Sequence, residues 1–272
     1  MIRSVLLIAS VTLSGGASPP NFVREQRIVQ VQGKPEIWRL LWRGAPNDHN
    51  DCGPDSPETA VTCPCSGVAY AQTGDLVLER RRTGAPVERI ALTPLFAGSE
   101  MPTPVGRVVA VLPRWGIDPR DVDHVPPPAA IRARPAVPIL RLRDYGHDGS
   151  AGQFLLQVSV APCGKQVEVA VGVTRANPRL HVLTTAEHPT RPLMLYRPQW
   201  DALARNRHPG ELADWLCGDH GAEQETSVLL RADGGRLHAT RITSTCPDED
   251  GANTGNHAKA QFRKRVVKRE VL

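Results

Sequence analysis

The segment Leu140-Arg141-Leu142-Arg143-Asp144-Tyr145-Gly146-His147-Asp148-Gly149 combines residue types that could hold a cation. Asp144 and Asp148 offer hard carboxylate oxygens, and the glycine after the second acid lets the backbone turn back toward an ion, as a tight calcium loop requires. The same residues suit a plain Asp-Gly turn between strands, because aspartate accepts hydrogen bonds from nearby main-chain N–H groups and glycine adopts positive φ at no steric cost. Both readings expect a loop that leads directly into a strand beginning at Gln153.

Three other clusters gather potential ligands. Asp48, Asn50 and Gly53 repeat the offsets of the first loop, but Cys52 takes its middle position, and a thiol serves calcium poorly. Cys63-Pro64-Cys65 would put two sulfurs on one side of a strand, where a soft metal such as copper or zinc could meet both. Zinc would still need a second pair of ligands at short spacing, which the sequence lacks. The run from Asp214 to Glu223 collects Asp214, Cys217, Asp219, His220 and Glu223, and reads either as a site or as a polar loop anchored by a cystine.

The stretch Leu140 to Val160 resembles one unit of the exported integrin-like (FG-GAP/VCBS-type) calcium-loop β-repeat proteins, in which an Asp-x-Asp-x-Asp-Gly loop joins two strands. Gly146 and Gly152 depart from that pattern at positions where the family carries further ligands. The resemblance therefore implies a calcium site made by Asp144 and Asp148 alone, helped by main-chain oxygens or the Ser150 hydroxyl.

The redox setting decides how the thiols are read. Arg3, the apolar run Val5 to Ala9, and then Ser14-Gly15-Gly16-Ala17 follow the charged, apolar and small-residue order of a secretory signal, with cleavage expected after Ala17. Its apolar stretch is too short to span a bilayer, and no later one is long enough. The chain is thus expected to be exported, periplasmic or secreted, with no membrane span. All six cysteines, Cys52, Cys63, Cys65, Cys163, Cys217 and Cys246, follow Ala17 and are disulfide candidates in that compartment. The formal net charge of +5 is concentrated in Arg80-Arg81-Arg82 and in Arg263-Lys264-Arg265 with Lys268-Arg269. Such runs suit a solvated surface, or a cell-envelope component or anionic polymer as partner; nucleic acid is not expected.

These residues must be positioned by strands. Trp38, Leu40 and Trp42 share one face of a strand; Leu76 and Leu78 precede Thr83-Gly84-Ala85-Pro86, and Ile90 and Leu92 follow it. Phe154, Leu156, Val158 and Val160 alternate with mostly polar residues, and Val167, Val169, Val171 and Val173 alternate again. Asp233-Gly234-Gly235 separates the last strong hairpin pair. One helix is expected from Pro198, with Trp200, Leu203 and Ala204 on one side, ending near Asn206. The proline-rich stretch from Val125 to Pro138 cannot pair as an inner strand and reads as a connector.

The organisation expected is a signal peptide at 1–17, an N-terminal β lobe at 18–124, a connector at 125–138, a C-terminal β lobe at 139–247 and a polar, basic tail at 248–272 containing a weak strand at Val266 and Val267. The fold class is mainly β, two antiparallel lobes packed together with one short helix; the alternative is an irregular or partial β-propeller. Gly-x-Ser-x-Gly, His-Glu-x-x-His, Gly-Lys-Ser/Thr and Cys-x-x-Cys-His motifs are absent, and the histidines are scattered. The functional expectation is a non-catalytic protein with a binding, scaffolding or envelope role, calcium being its one candidate cofactor. The competing expectation is a secreted hydrolase that draws on the loops at Asp144 to Asp148 and Asp214 to Glu223.

Overall fold

Alternating apolar residues in long strands demand an opposing apolar surface, and here the opposing surfaces are other sheets. The computed structural model describes residues 20–49, 70–98, 107–116, 118, 120, 126–161, 165–246 and 265–272. The signal-like segment 1–17 and Cys52, Cys63, Cys65 and Cys163 lie outside the described residues.

The fold is mainly β, built from antiparallel sheets. The first contains β1 (Asn21–Val31), β2 (Lys34–His49), β3 (Ala71–Arg81) and β4 (Glu88–Ala91) in that order, with β5 (Ala110–Pro113) paired to the first residues of β3. A short helix, α1 (Pro128–Arg132), lies within the stretch expected to be a plain connector. The second sheet contains β6 (Gln153–Ala161), β7 (Lys165–Gly172) and β8 (His181–Val182), and β9 (Leu195–Tyr196) pairs with the opening of β7. Helix α2 (Arg197–Arg205) follows, close to the expected span. The third sheet runs β10 (Gly210–Trp215), β11 (Gln224–Asp233), β12 (Arg236–Thr245) and β13 (Val266–Val271), so the weak terminal strand is longer than expected and pairs along β12. No closed barrel or propeller forms among the described residues.

The second sheet is the middle layer. Phe154, Leu156, Val169 and Val171 on one face are fully enclosed and share a core with Trp38, Leu40, Leu76 and Leu78 of the first sheet. Phe154 meets Trp38 edge to face with ring centroids 6.5 Å apart, an arrangement that aromatic quadrupoles favour. Leu155 and Ala170 on the opposite face join a second core with Trp200 and Leu203 of α2 and with Val228, Leu230 and Leu237 of the third sheet. At Gly172 the strands come so close that a Cβ would stand 2.0 Å from the Gly152 carbonyl oxygen, so only glycine fits there.

Two local expectations are realised in detail. Asp233 pairs with Arg236 across a two-residue turn in which Gly234 and Gly235 both take positive φ, 55° and 87°, the geometry that a primed hairpin turn needs. Glu79 and Arg80 face Arg89 and Glu88 across the β3–β4 hairpin. The arginine run beside that turn is not simply solvated surface. Arg80 is buried and donates from Nε and Nη2 to both carboxylate oxygens of Glu36 at 2.6 and 2.7 Å. Its Nη1 reaches Glu88 and the Pro178 carbonyl, which joins the first sheet to the turn after β7. Arg81 pairs with the enclosed Glu79, and Arg82 alone of the three has the expected exposure without such a partner among the described residues.

Candidate functional site

The loop that the sequence singled out is used to lock layers together. Asp144 accepts the N–H of Asp148 at 3.1 Å on one oxygen and that of Gly149 at 2.8 Å on the other. Asp148 accepts the N–H of Ser150 at 2.8 Å and that of Arg175 at 2.5 Å. Each of the four carboxylate oxygens therefore already satisfies a main-chain donor, as the turn reading expects. The Gly146 carbonyl accepts the Gly235 N–H from the β11–β12 turn at 2.9 Å, and His147 Nε2 lies 2.5 Å from the Leu203 carbonyl of α2. A Cβ on Gly146 would stand 3.2 Å from the Gly235 Cα, so a side chain there would have to push the β11–β12 turn back by a few tenths of an ångström.

The other clusters are likewise occupied within the fold. Cys217 and Cys246 form a disulfide with their Cα atoms 5.5 Å apart, anchoring the loop after β10 to the end of β12. Asp214 at the end of β10 pairs with Arg241 at 3.2 Å, Asp219 in the loop pairs with Lys165 at 2.8 Å, and the Lys165 ammonium lies over the Trp215 ring. A cleft of about 330 Å³ beside Tyr196 has Asp214 and Arg241 in its lining. Asp48 is held by Gln72 and Arg132, while Asn50, Cys52 and Gly53 lie outside the described residues. His181 donates from Nδ1 to the Arg179 carbonyl and His238 pairs with Glu187, so neither joins a shared centre. Among the described residues no three acid, histidine or cysteine side chains converge as a metal site.

A second, larger concavity among the described residues was not foreseen. It is a cleft of about 450 Å³ on the α2-facing side of the middle sheet, beside the chain that leaves β5 of the first. One wall is Leu112 to Gly116, which leaves β5 and includes Trp115; the other is the extended stretch Val137 to Arg143. Both are pinned by β1. Arg24 donates to the Pro113 and Val137 carbonyls, each at 2.8 Å, and the Glu25 carboxylate accepts the Ile139 N–H at 2.6 Å. Burial pulls the Arg24 guanidinium down to about 10, as expected for a cation removed from water.

The floor is the polar face of the middle sheet. Gln157 and Glu168 are direct cross-strand partners and therefore share a face, which Gln166 continues toward solvent. Helix α2 adds Arg197 and Asp201, one helical turn apart and so on the same side. Arg143 reaches Asp201 at 3.4 Å across the cleft. Arg197 donates to Gln166 Oε1 at 3.1 Å and also to Glu168 Oε1. Arg141 is exposed and has no acidic partner among the described residues.

Two buried groups lie behind this surface. Tyr145 is enclosed against Trp200, edge to face at 5.4 Å, and burial pushes its phenol up to about 12, so it stays neutral. Glu168 has no exposed surface, and its Oε2 has no hydrogen-bond partner among the described residues. Burial pushes its carboxyl up to about 7, against the opposing pull of Arg197.

The cleft thus presents Arg141, Arg143 and Arg197 against Asp201 as its one lining carboxylate, beside the edge of Trp115. Planar guanidinium groups can grip a carboxylate, phosphate or sulfate through paired N–H donors. The signal for this site in sequence is slight: an acid inside the run Val167-Glu168-Val169, and an Arg–Asp pair four apart on α2. A scan of protein-family models and searches of curated proteins and of solved structures each return no significant match.

Proposed function

We propose that the chain is an exported, non-catalytic β-protein that binds an anionic ligand in the cleft bounded by its middle sheet, α2 and the chain leaving β5, in a role at the cell envelope. The observation that carries this reading is the excess of guanidinium groups: three arginines line the cavity and, among the described residues, only Asp201 opposes them and Arg141 has no acidic partner. The net charge of +5, to which Arg3 of the signal-like segment contributes one, adds long-range attraction for anions. Trp115 supplies an apolar edge on which a sugar ring or aliphatic portion could rest. The reading of export rests on the signal-like residues Met1 to Ala17, and the Cys217–Cys246 disulfide is in keeping with an oxidising compartment.

Binding is favoured over hydrolysis by the placement of the acids. Glu168, the carboxyl that titrates near neutrality, is enclosed and cannot touch a substrate, while Asp201 is committed to Arg143. The test is a calorimetric titration with a trisulfated disaccharide, triglutamate and inorganic phosphate at low and moderate salt. Saturable binding that weakens with salt, and weakens at least tenfold in the Arg141→Ala/Arg143→Ala variant, is expected for a loss of two charged contacts. Absence of binding, or equal binding by the variant, would overturn the proposal.

A further inference from the structure

Arg197 faces two ways. About half of its side chain is exposed toward the cleft. The other side donates to Glu168, which is fully buried and whose second oxygen is left without a partner. The charged and titratable groups around Glu168 come from two elements: Arg197 and Asp201 from α2, and Tyr145 with Arg143 from the segment before β6. Gln157 of β6 stands directly across the ladder. Arg143 is engaged by Asp201, Tyr145 is neutral, and Arg197 is the one cation in hydrogen-bond contact with the carboxylate among the described residues.

An anion entering the cleft therefore shares its guanidinium with a carboxylate that cannot move into water. Two negative groups on one cation repel, and the buried one has the weaker alternative. We infer that ligand binding in the cleft is coupled to uptake of one proton from solvent by Glu168, whose unpartnered Oε2 is the position that accepts it. The inference rests on the reading of the cleft as an anion site. Its balance is simple: one anion and one proton enter, and Arg197 remains charged throughout.

Because linkage is reciprocal, affinity must depend on pH in the same measure. Glu168 titrates near 7 before ligand enters, so the carboxyl is largely protonated at pH 5.5 and largely ionised at pH 8.5. Binding should take up almost no protons at the lower pH and approach one per ligand at the higher. The dissociation constant should then weaken by up to tenfold for each pH unit above about 7.

The experiment uses the trisulfated disaccharide, whose charges do not titrate in this range, in two buffers of different ionisation enthalpy. The dependence of observed heat on buffer reads proton uptake directly. Uptake that rises from near zero at pH 5.5 toward one at pH 8.5 in the wild type, and that vanishes in Glu168→Gln while binding persists, is the expected result. Binding by the wild type with no buffer dependence at pH 8.5 would overturn the inference and leave the anion site standing, and it requires no variant to fold. Uptake retained in Glu168→Gln would overturn the assignment to Glu168. Failure of the wild type to bind at any pH would sink the site and the coupling together.

Discussion

Replacing Glu168 by glutamine should change how stability depends on pH, without any ligand. In the folded chain burial lifts this carboxyl from an ordinary value of 4.5 to about 7. The folded state therefore holds the proton more tightly than the unfolded state, and the contribution is a stabilisation present below about 4.5 and lost as pH rises through about 7. At about 1.4 kcal/mol per pH unit, the interval corresponds to about 3 kcal/mol. Glutamine keeps the shape and can donate from its amide, but it does not titrate. Urea unfolding followed by tryptophan fluorescence between pH 4.5 and 8 would read the difference. The variant should gain about 3 kcal/mol relative to wild type across that window and remain level above it. Glu36 and Glu79, whose arginine partners Arg80, Arg81 and Arg89 hold their carboxyls below the usual range, act in the opposite direction. Their contribution is common to both proteins and cancels in the comparison. Parallel stability curves for wild type and variant would refute the reasoning, because they would mean that Glu168 titrates as it does in the unfolded chain.

Other residues give independent tests. Asp148→Ala removes the acceptor of two main-chain N–H groups, and a loss of about 1–3 kcal/mol is expected. The melting temperature of the wild type should be unchanged by millimolar calcium, and a calcium-dependent rise would show that Asp144 and Asp148 hold an ion. Replacing Cys217 and Cys246 by serine opens a loop of sequence separation 29 and should cost about 3–4 kcal/mol by chain entropy; unaltered denaturation midpoints would argue against the bridge. Phe154→Ala should cost about 3–5 kcal/mol, since it hollows the core shared by the first and middle sheets. A cost below about 1 kcal/mol would mean that these sheets do not face one another.

Much of the architecture was legible because short-range signals agreed with long-range packing. Trp38, Leu40 and Trp42 alternate and are all enclosed; Gly234 and Gly235 supply the turn that Asp233 and Arg236 close; Trp200 and Leu203 mark the buried side of α2. The middle layer was harder. Alternation in β6 and β7 suggests one buried face and one polar face in water, yet the polar face is covered by α2, the third sheet and the walls of the cleft. Glu168 was consequently overlooked, since a carboxylate between valines reads as the wet side of a strand. The cleft draws on β5, the stretch before β6, the middle sheet and α2, segments far apart in sequence, and nothing local links Arg141 to Trp115 or Arg197. The loop at Asp144 and Asp148 was visible for the opposite reason, because its side chains serve amides within a few residues and Arg175 alone is distant. In Arg80-Arg81-Arg82 sequence adjacency was misleading, because successive strand residues point to opposite faces. One of them thereby enters the interior to meet Glu36.

The central claim, that the cleft bounded by the middle sheet, α2 and the chain leaving β5 takes an anion, is tested most directly by following arginine side-chain Nε–Hε resonances while the trisulfated disaccharide is titrated in. The signals of Arg141, Arg143 and Arg197 should move together with one dissociation constant, while those of Arg89 on β4 and Arg269 on β13, which do not line the cleft, stay in place. Equal small shifts at every exposed arginine, or no shift at the three in the cleft, would contradict it.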